Sequence, residues 1–188
     1  MDSDDDLIER ARRGDLRAFE TLVERYRDVV FRVAARIVGN EDAHDVSQDA
    51  FLRAFHRLSS FRGDAAFRAW LLQITQHAAL TTLQRRGRHP VAPDAIVEEI
   101  PQTVPVEREP VERLQASERR ERLTLKLGSL HPTYRSLVVL RDLEGLSYEE
   151  IAEALDMPLG TVKGRLHRAR HELMELLRAN TYDWDLPA

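Results

Sequence analysis

Residues Leu146–Leu173 read LSYEEIAEALDMPLGTVKGRLHRARHEL. The first half is acidic and the second basic, in a chain whose formal net charge is −4. Ser147 and Glu150 form S-x-x-E, the capping box in which each side chain satisfies the other residue's backbone N–H at a helix start. Ile151, Ala152 and Leu155 then fall on one side of a short helix, with Ala152 small where a second helix must cross closely. Asp156-Met157-Pro158 makes a turn, and Pro158 suits a first helical position, where no N–H is needed. Beyond it Val162, Leu166, Ala169, Leu173 and Leu177 repeat with helical period. Two short helices across a tight turn predict a helix-turn-helix.

The second helix has an outward face that can be computed from about 100° per residue. It holds Gly160, Gly164, His167, Arg168 and His171, with Thr161, Lys163, Arg165 and Arg170 around it. Small residues let a backbone come close, and cations surround the gap. That suits a recognition helix in a DNA major groove. Lys163 and Arg168 can reach base edges, guanine acceptors above all, whereas Arg165 and Arg170 suit phosphates. Basic residues late in a helix also complement its dipole. Here the capping box, the tight turn, the proline and the inward pattern come together, and they favour DNA. The acidic residues stay on the supporting helix, so the local field, not the sum, answers to the ligand.

Working outward, the chain is divided by proline. Five of its eight prolines (Pro90, Pro93, Pro101, Pro105, Pro110) lie in HPVAPDAIVEEIPQTVPVEREP, which reads as an extended linker. Over residues 91–116, Asp94, Glu98, Glu99, Glu107, Glu109 and Glu112 outnumber Arg108 and Arg113, so the chain's surplus negative charge sits there. The expected organisation is all-α: two small helical domains at 1–89 and 117–180, a flexible linker at 90–116, a tail at 181–188, and a C-terminal helix-turn-helix. Free in solution, the linker is expected to be disordered.

The N-terminal part reads as three helices. Asp15 after Gly14 caps GDLRAFETLVERYRDVVFRVAARIVGN, whose Leu16, Phe19, Leu22, Val23, Tyr26, Val30, Val33, Ala34 and Ile37 recur with helical period, and Gly39-Asn40 ends it. EDAHDVSQDAFLRAFHRL follows, with Val46, Phe51, Leu52, Phe55 and Leu58 as its apolar positions. The loop SSFRGDAAF leads into a third helix, AAFRAWLLQITQHAALTTLQRR. SERRERLTLKLGSL and TYRSLVVLRDL supply two more helices before the helix-turn-helix.

EGLSYEEIAEALDMPLGTVKGRLHRARHEL resembles the C-terminal promoter-reading domain of bacterial sigma factors. GDLRAFETLVERYRDVV, DAHDVSQDAFLRAFHRL and FRGDAAFRAWLLQI resemble their N-terminal core domain. Together they are similar to the extracytoplasmic function (ECF) sigma factors, which keep only these two domains. The resemblance covers both globular parts, in the right order, and leaves out the linker and the ends.

The resemblance implies a transcription initiation factor with core RNA polymerase, through its β′ coiled coil and β flap, and promoter DNA as partners. It implies that Asp45, Gln48, Asp49 and Arg53 face the coiled coil. It implies −10 recognition by Phe61, Arg62, Gly63, Asp64 and His77, with the loop holding a flipped base and Arg85, Arg86 and Arg88 holding phosphates. It implies −35 recognition by Thr161, Lys163, Gly164, Arg165, His167, Arg168 and Arg170. The linker would run through the RNA channel of the polymerase, and an anti-sigma factor would be the control. Phe67 and Trp70 could offer stacking surfaces to unpaired bases, but aromatics at helical spacing are more often core. The chain departs from the family at His44, where Glu is frequent. It departs also at His77 (Asn usual), Thr81 (Asp common), Gln84 (Arg common) and Gly164 (Ser usual).

Other classes fit less well. No Gly-rich phosphate loop, G-x-S-x-G or HExxH is present, so no enzyme is expected, and no cofactor. His167 and His171 have metal-ligand spacing, but the arginines between them repel a cation and no third ligand is evident, so no metal is expected. A stand-alone helix-turn-helix regulator is the alternative reading, with the first ninety residues as its dimerisation or sensor domain. There is no cysteine, hence no disulfide framework. No run approaches the length of a membrane span, and the acidic MDSDDD start does not read as a signal peptide, so a cytoplasmic protein without membrane insertion is expected.

Overall fold

The computed structural model describes residues 2–63, 66–87 and 122–179. Every regular element in them is helical. The order is α1 (Asp4–Arg12), α2 (Leu16–Val38), α3 (Asn40–Arg57), a 3₁₀ turn at Leu58–Ser60 and α4 (Phe67–Arg86). Then come α5, described over 122–129, α6 (Pro132–Val138) continued by a π turn at Val139–Leu143, α7 (Tyr148–Ala154) and α8 (Leu159–Arg178). The expected linker and tail lie outside the described residues.

Helix α1 is new relative to the sequence reading, which left the acidic start unassigned. Ser3 and Asp6 form a reciprocal capping box, and Asp4, Asp5 and Asp6 place negative charge at the positive end of the helix dipole. Its Leu7, Ile8 and Ala11 are buried. Arg25 and Tyr26 of α2 both reach the Asp4 carboxylate, which pins α1 along α2.

Helix α2 starts where expected, with the Asp15 carboxylate accepting from the N–H groups of Arg17 and Ala18. It stops at Gly39, whose φ of 89° suits a residue without a side chain. Asn40 is not part of that stop. It is already the first residue of α3, so a single glycine makes the corner.

Helix α3 corrects the sequence reading. Its core face is Ala43, Val46, Ser47, Ala50 and Ala54, all buried. Leu52 is 60% exposed and Phe55 38%, although both are among the apolar positions read for this helix. The reason is closeness. Small residues let α3 approach α2 and α4, both of which it packs against, and bulky side chains cannot fit that seam. The filling comes from the neighbours: Val30, Val33, Ala34 and Ile37 of α2, and Leu71, Leu72 and Ala78 of α4, are essentially inaccessible. Each such leucine contributes about 1.5–3 kcal/mol relative to an exposed one.

The C-terminal half packs α6 and α7 against α8. Its buried residues, among them Leu137, Val139, Leu140, Ile151, Val162 and Leu166, join those of the first half in one continuous cluster. α6 and α7 touch α4, and the π turn touches α2. The two halves therefore lie against each other. At the seam Arg135, fully buried, donates to the carbonyls of Leu127, Gly128 and Leu130 and also to that of Ile37, in the last turn of α2.

Candidate nucleic-acid interface

The helix-turn-helix forms as its sequence dictates. The Ser147 N–H donates to the Glu150 carboxylate at 2.7 Å, and the Glu150 N–H donates to the Ser147 hydroxyl at 3.0 Å. Asp156 takes the left-handed conformation at φ 47°, which a short polar side chain tolerates. Pro158 sits one position earlier than expected. It is the N-cap, in extended geometry, and its carbonyl accepts from Thr161 at 2.8 Å and Val162 at 3.2 Å. On α8, Val162, Leu166, Ala169 and Leu177 are buried, while Leu173 is half-buried.

The outward face of α8 is open. Gly160, Gly164, His167, Arg168 and His171 are all exposed. A Cβ added at Gly160 or Gly164 would meet nothing within 4 Å, so neither glycine is required by packing inside this chain. Thr161 and Arg165 are half-buried.

The cations around this face differ in what they do. Arg168 projects freely. The Lys163 ammonium lies 5.7 Å from the Tyr148 ring centroid, with the Arg141 guanidinium at 4.5 Å over the same ring. Arg165 Nη1 is 3.2 Å from the Met157 sulfur. Arg170 is held by the Asp142 carboxylate, with Nε at 3.0 Å from Oδ2. That partner is the main reason its pKa is raised further. Hydrogen bonding from Arg170 lowers the pKa of the Tyr148 phenol.

The second face lies on α4 and the loop before it. Arg62 and Gly63 are exposed, and His77 and Arg85 stand on the surface of α4. Partial burial, and then the charges of Arg57 and Arg53, lower the His77 pKa. Two expected contacts differ. Phe61 is only 6% exposed. Its ring packs 5.6 Å from Phe67 and 5.1 Å from Trp70, with Arg12 6.0 Å above it, so it belongs to the core and offers no free stacking surface. Arg86 forms an ion pair with the buried Asp42 and serves the joint between α3 and α4. Asp64 and Arg88 lie outside the described residues.

A third face runs along α3. Asp45 and Gln48 are exposed, and Asp49 pairs with Arg53 at 2.7 Å one turn later. Beside them lie Leu52, Phe55 and Leu16, the last 61% exposed. Phe19 meets Phe55 edge to face at 4.9 Å. These apolar side chains stay in solvent beside charged ones on one side of α3. The sequence reading missed Leu16, Leu52 and Phe55 here. The alanines at positions 43, 50 and 54 were the signal that could have found them. His44 lies 4.6 Å from Phe31, at the edge of the same helix.

No group of three or more metal-binding side chains occurs among the described residues. No described helix is long and apolar enough to cross a membrane.

Residues 22–89 match the family described as sigma-70 region 2, and residues 120–173 the family described as sigma-70 region 4. The ECF RNA polymerase sigma-E factor of Escherichia coli (strain K12) is 39% identical over 176 residues, covering 91% of this chain and 92% of the relative. That of Haemophilus influenzae is 37% identical over 178 residues, covering 92% and 94%. Among solved structures, CnrH in complex with the cytosolic domain of CnrY is 31% identical with a TM-score of 0.66, covering 96% of this chain and all of the other. The sigma factor RpoE of Bartonella quintana, solved with the anti-sigma factor NepR, shares the fold at a TM-score of 0.62, 21% identity and 86% and 98% coverage.

Proposed function

The chain belongs to the ECF sigma factors, promoter-specific initiation factors of bacterial RNA polymerase, and from that premise we propose how its three faces divide the work. The α8 face reads the −35 element as duplex, with Arg168 and Lys163 at base edges, Gly160 and Gly164 against the DNA backbone, and Thr161, Arg165, His167 and Arg170 around them. Arg62, Gly63, Asp64 and His77 take the −10 strand after it opens. Extruding a base costs unstacking energy, and its capture offsets that cost. Arg85 and Arg88 hold phosphates. The α3 face, Asp45, Gln48, Asp49 and Arg53 with Leu52 and Phe55, docks on core polymerase.

The observation that carries this reading is the pair of open glycines on α8 among exposed cations. A helix interior gains nothing from glycine, so the gap serves an external backbone. Binding is bivalent: polymerase fixes the spacing of the two reading faces, and each weak contact adds to the other. The factor acts where polymerase meets DNA, and it contributes binding, not bond chemistry. CnrH and the Bartonella factor were solved with protein partners, and a protein of the anti-sigma kind is the expected control here. A stand-alone regulator would leave the α3 face without a task.

The test is titration of the purified chain into core RNA polymerase without DNA, scored by size exclusion. A one-to-one complex supports the reading. Free chain that ignores polymerase but binds duplex DNA on its own would replace it with the regulator.

A further inference from the structure

The loop proposed to take the −10 strand leaves the core at Phe61, and helix α1 holds the point where it leaves. Leu58–Ser60 form a single 3₁₀ turn, closed by the Phe61 N–H donating to the Leu58 carbonyl at 3.3 Å. Arg12, in the last turn of α1, donates Nε to that same carbonyl at 3.1 Å, across 46 residues of chain. Its guanidinium also lies 6.0 Å from the Phe61 ring centroid. Glu9, one turn earlier, accepts from Nη1 at 2.7 Å and so fixes the other end of the fork. The Arg12 side chain is 27% exposed, against 80% for its neighbour Arg13.

Phe61 in turn reaches across the loop. Its ring packs against Phe67, the first residue of α4, and against Trp70 one turn further on. Phe67 itself meets Tyr26 of α2 at 5.5 Å. Residues 61 and 67 therefore clasp the two ends of the segment between them. Arg62 and Gly63, the first residues beyond the clasp, are exposed, and Gly63 turns the backbone with φ 81°. Trp70 is half-buried and stands two turns before His77 on α4.

We infer that Arg12 is a positioning residue for −10 recognition: without touching DNA, it sets the place from which Arg62 and Gly63 meet the opened strand. Its purpose rests on the promoter reading above. A basic residue in the last turn of a helix ordinarily complements the dipole or pairs with the preceding turn. Neither role needs a partner on another element. Here the planar fork of the guanidinium is used in full, with one arm on a carboxylate of α1 and the other on a carbonyl of the 3₁₀ turn. A loop that must hold an extruded base gains from being ordered beforehand, since ordering it during binding subtracts from affinity. The attachment of α1 itself has other sources. Asp4 takes both Arg25 and Tyr26, and Leu7, Ile8 and Ala11 are buried, so Arg12 can be changed without detaching the helix.

The test uses the full chain, both free and as holoenzyme with core polymerase. Arg12→Met keeps an apolar stem and removes the fork, Glu9→Gln releases the fork from its far side, and Arg13→Met is the exposed control. In the free chain, amide hydrogen exchange at Phe61 should quicken about tenfold in Arg12→Met, less in Glu9→Gln, and not at all in Arg13→Met. For the holoenzyme, the probe is a promoter that the wild type recovers from a randomised duplex pool, with its −10 strand left unpaired by mismatches. Arg12→Met should lose about tenfold in affinity for this probe, yet bind core polymerase and the −35 duplex alone as the wild type does. Equal losses on every probe would make Arg12 a general support of the fold and overturn the inference. Full affinity for the unpaired probe, or unchanged exchange at Phe61, overturns it as well. Circular dichroism checks folding, and if Arg12→Met does not fold, Glu9→Gln carries the same expectations at smaller size. A wild-type holoenzyme that recovers no promoter overturns the promoter reading instead, and the exchange rates still decide whether Arg12 fixes the loop.

Discussion

Arg135 donates to the backbone carbonyl of Ile37 across 98 residues of chain. Three further carbonyls, of Leu127, Gly128 and Leu130, converge on the same guanidinium. All four belong to helix C-terminal turns or the residues just after them, where carbonyls lack intrahelical partners and the dipole is negative. A buried cation needs such compensation. Burial pushes Arg135 down to about 10, and it remains charged at neutral pH. Arg135→Met should lower stability by about 3 kcal/mol or more, because each orphaned acceptor costs about 1–3 kcal/mol before relaxation. Urea unfolding checks this, and a loss below about 1 kcal/mol would show that water replaces the guanidinium.

The two α8 glycines predict opposite effects on stability and on binding. Nothing lies within 4 Å of a Cβ at Gly164, and the residue is inside the helix. Gly164→Ala should therefore raise stability by up to about 1 kcal/mol while weakening −35 binding. Thermal unfolding and a promoter-binding titration with holoenzyme separate the two. A gain in both would remove the glycine from the DNA contact.

Arg168 and Arg170 should part company. Arg168→Ala should cost roughly 1–3 kcal/mol at one −35 position and relax the preference there. Arg170 is tied to Asp142 on the preceding segment, so Arg170→Ala should weaken binding evenly over all promoter sequences. It should also loosen the attachment of α8 to the π turn. A panel of −35 variants gives both profiles. Identical profiles would mean that both side chains meet only phosphate.

His77 makes stability depend on pH. Its folded pKa lies below the ordinary 6.5, so the folded chain binds fewer protons than the unfolded one as pH falls. Stability is then flat at and above neutral pH and declines below about 6.5. Replacing His77 by Asn should flatten that part of the decline. An NMR titration of the His77 ring showing a value at or above 6.5 would contradict the assignment.

Leu52→Gln should leave stability within about 0.5 kcal/mol, as for ordinary surface positions, yet reduce core polymerase binding. Ala50→Leu, two residues away, should lower stability by about 1–3 kcal/mol or more, because Ala50 has no accessible surface and overpacking strains the core. Unfolding curves and size exclusion with core polymerase distinguish them.

Much of this was legible in the sequence wherever a local rule acts alone. The Asp15 cap, the Ser147–Glu150 box and the inward stripe of α8 needed only residues three or four apart. What was not legible depended on distant partners. Phe61 is core because Phe67 and Trp70 fold back over it. Arg170 is occupied because Asp142 lies 28 residues earlier. Glu144 meets arginines 76 to 112 residues away. Helix α1 was missed although its capping box is local, because three consecutive aspartates look like a solvated tail until Leu7, Ile8 and Ala11 find a surface. On α3 periodicity alone misassigned the faces. A helix with two apolar stripes, one small and one large, does not say which is inside.

That double stripe separates heredity of shape from heredity of partner. The side of α3 that holds the fold is built of alanines, which tolerate almost no change. The side that carries bulk, Leu52 and Phe55, is largely in solvent and adds less to the packing. A lineage can therefore retune what this helix grips by successive single substitutions without passing through an unfolded intermediate.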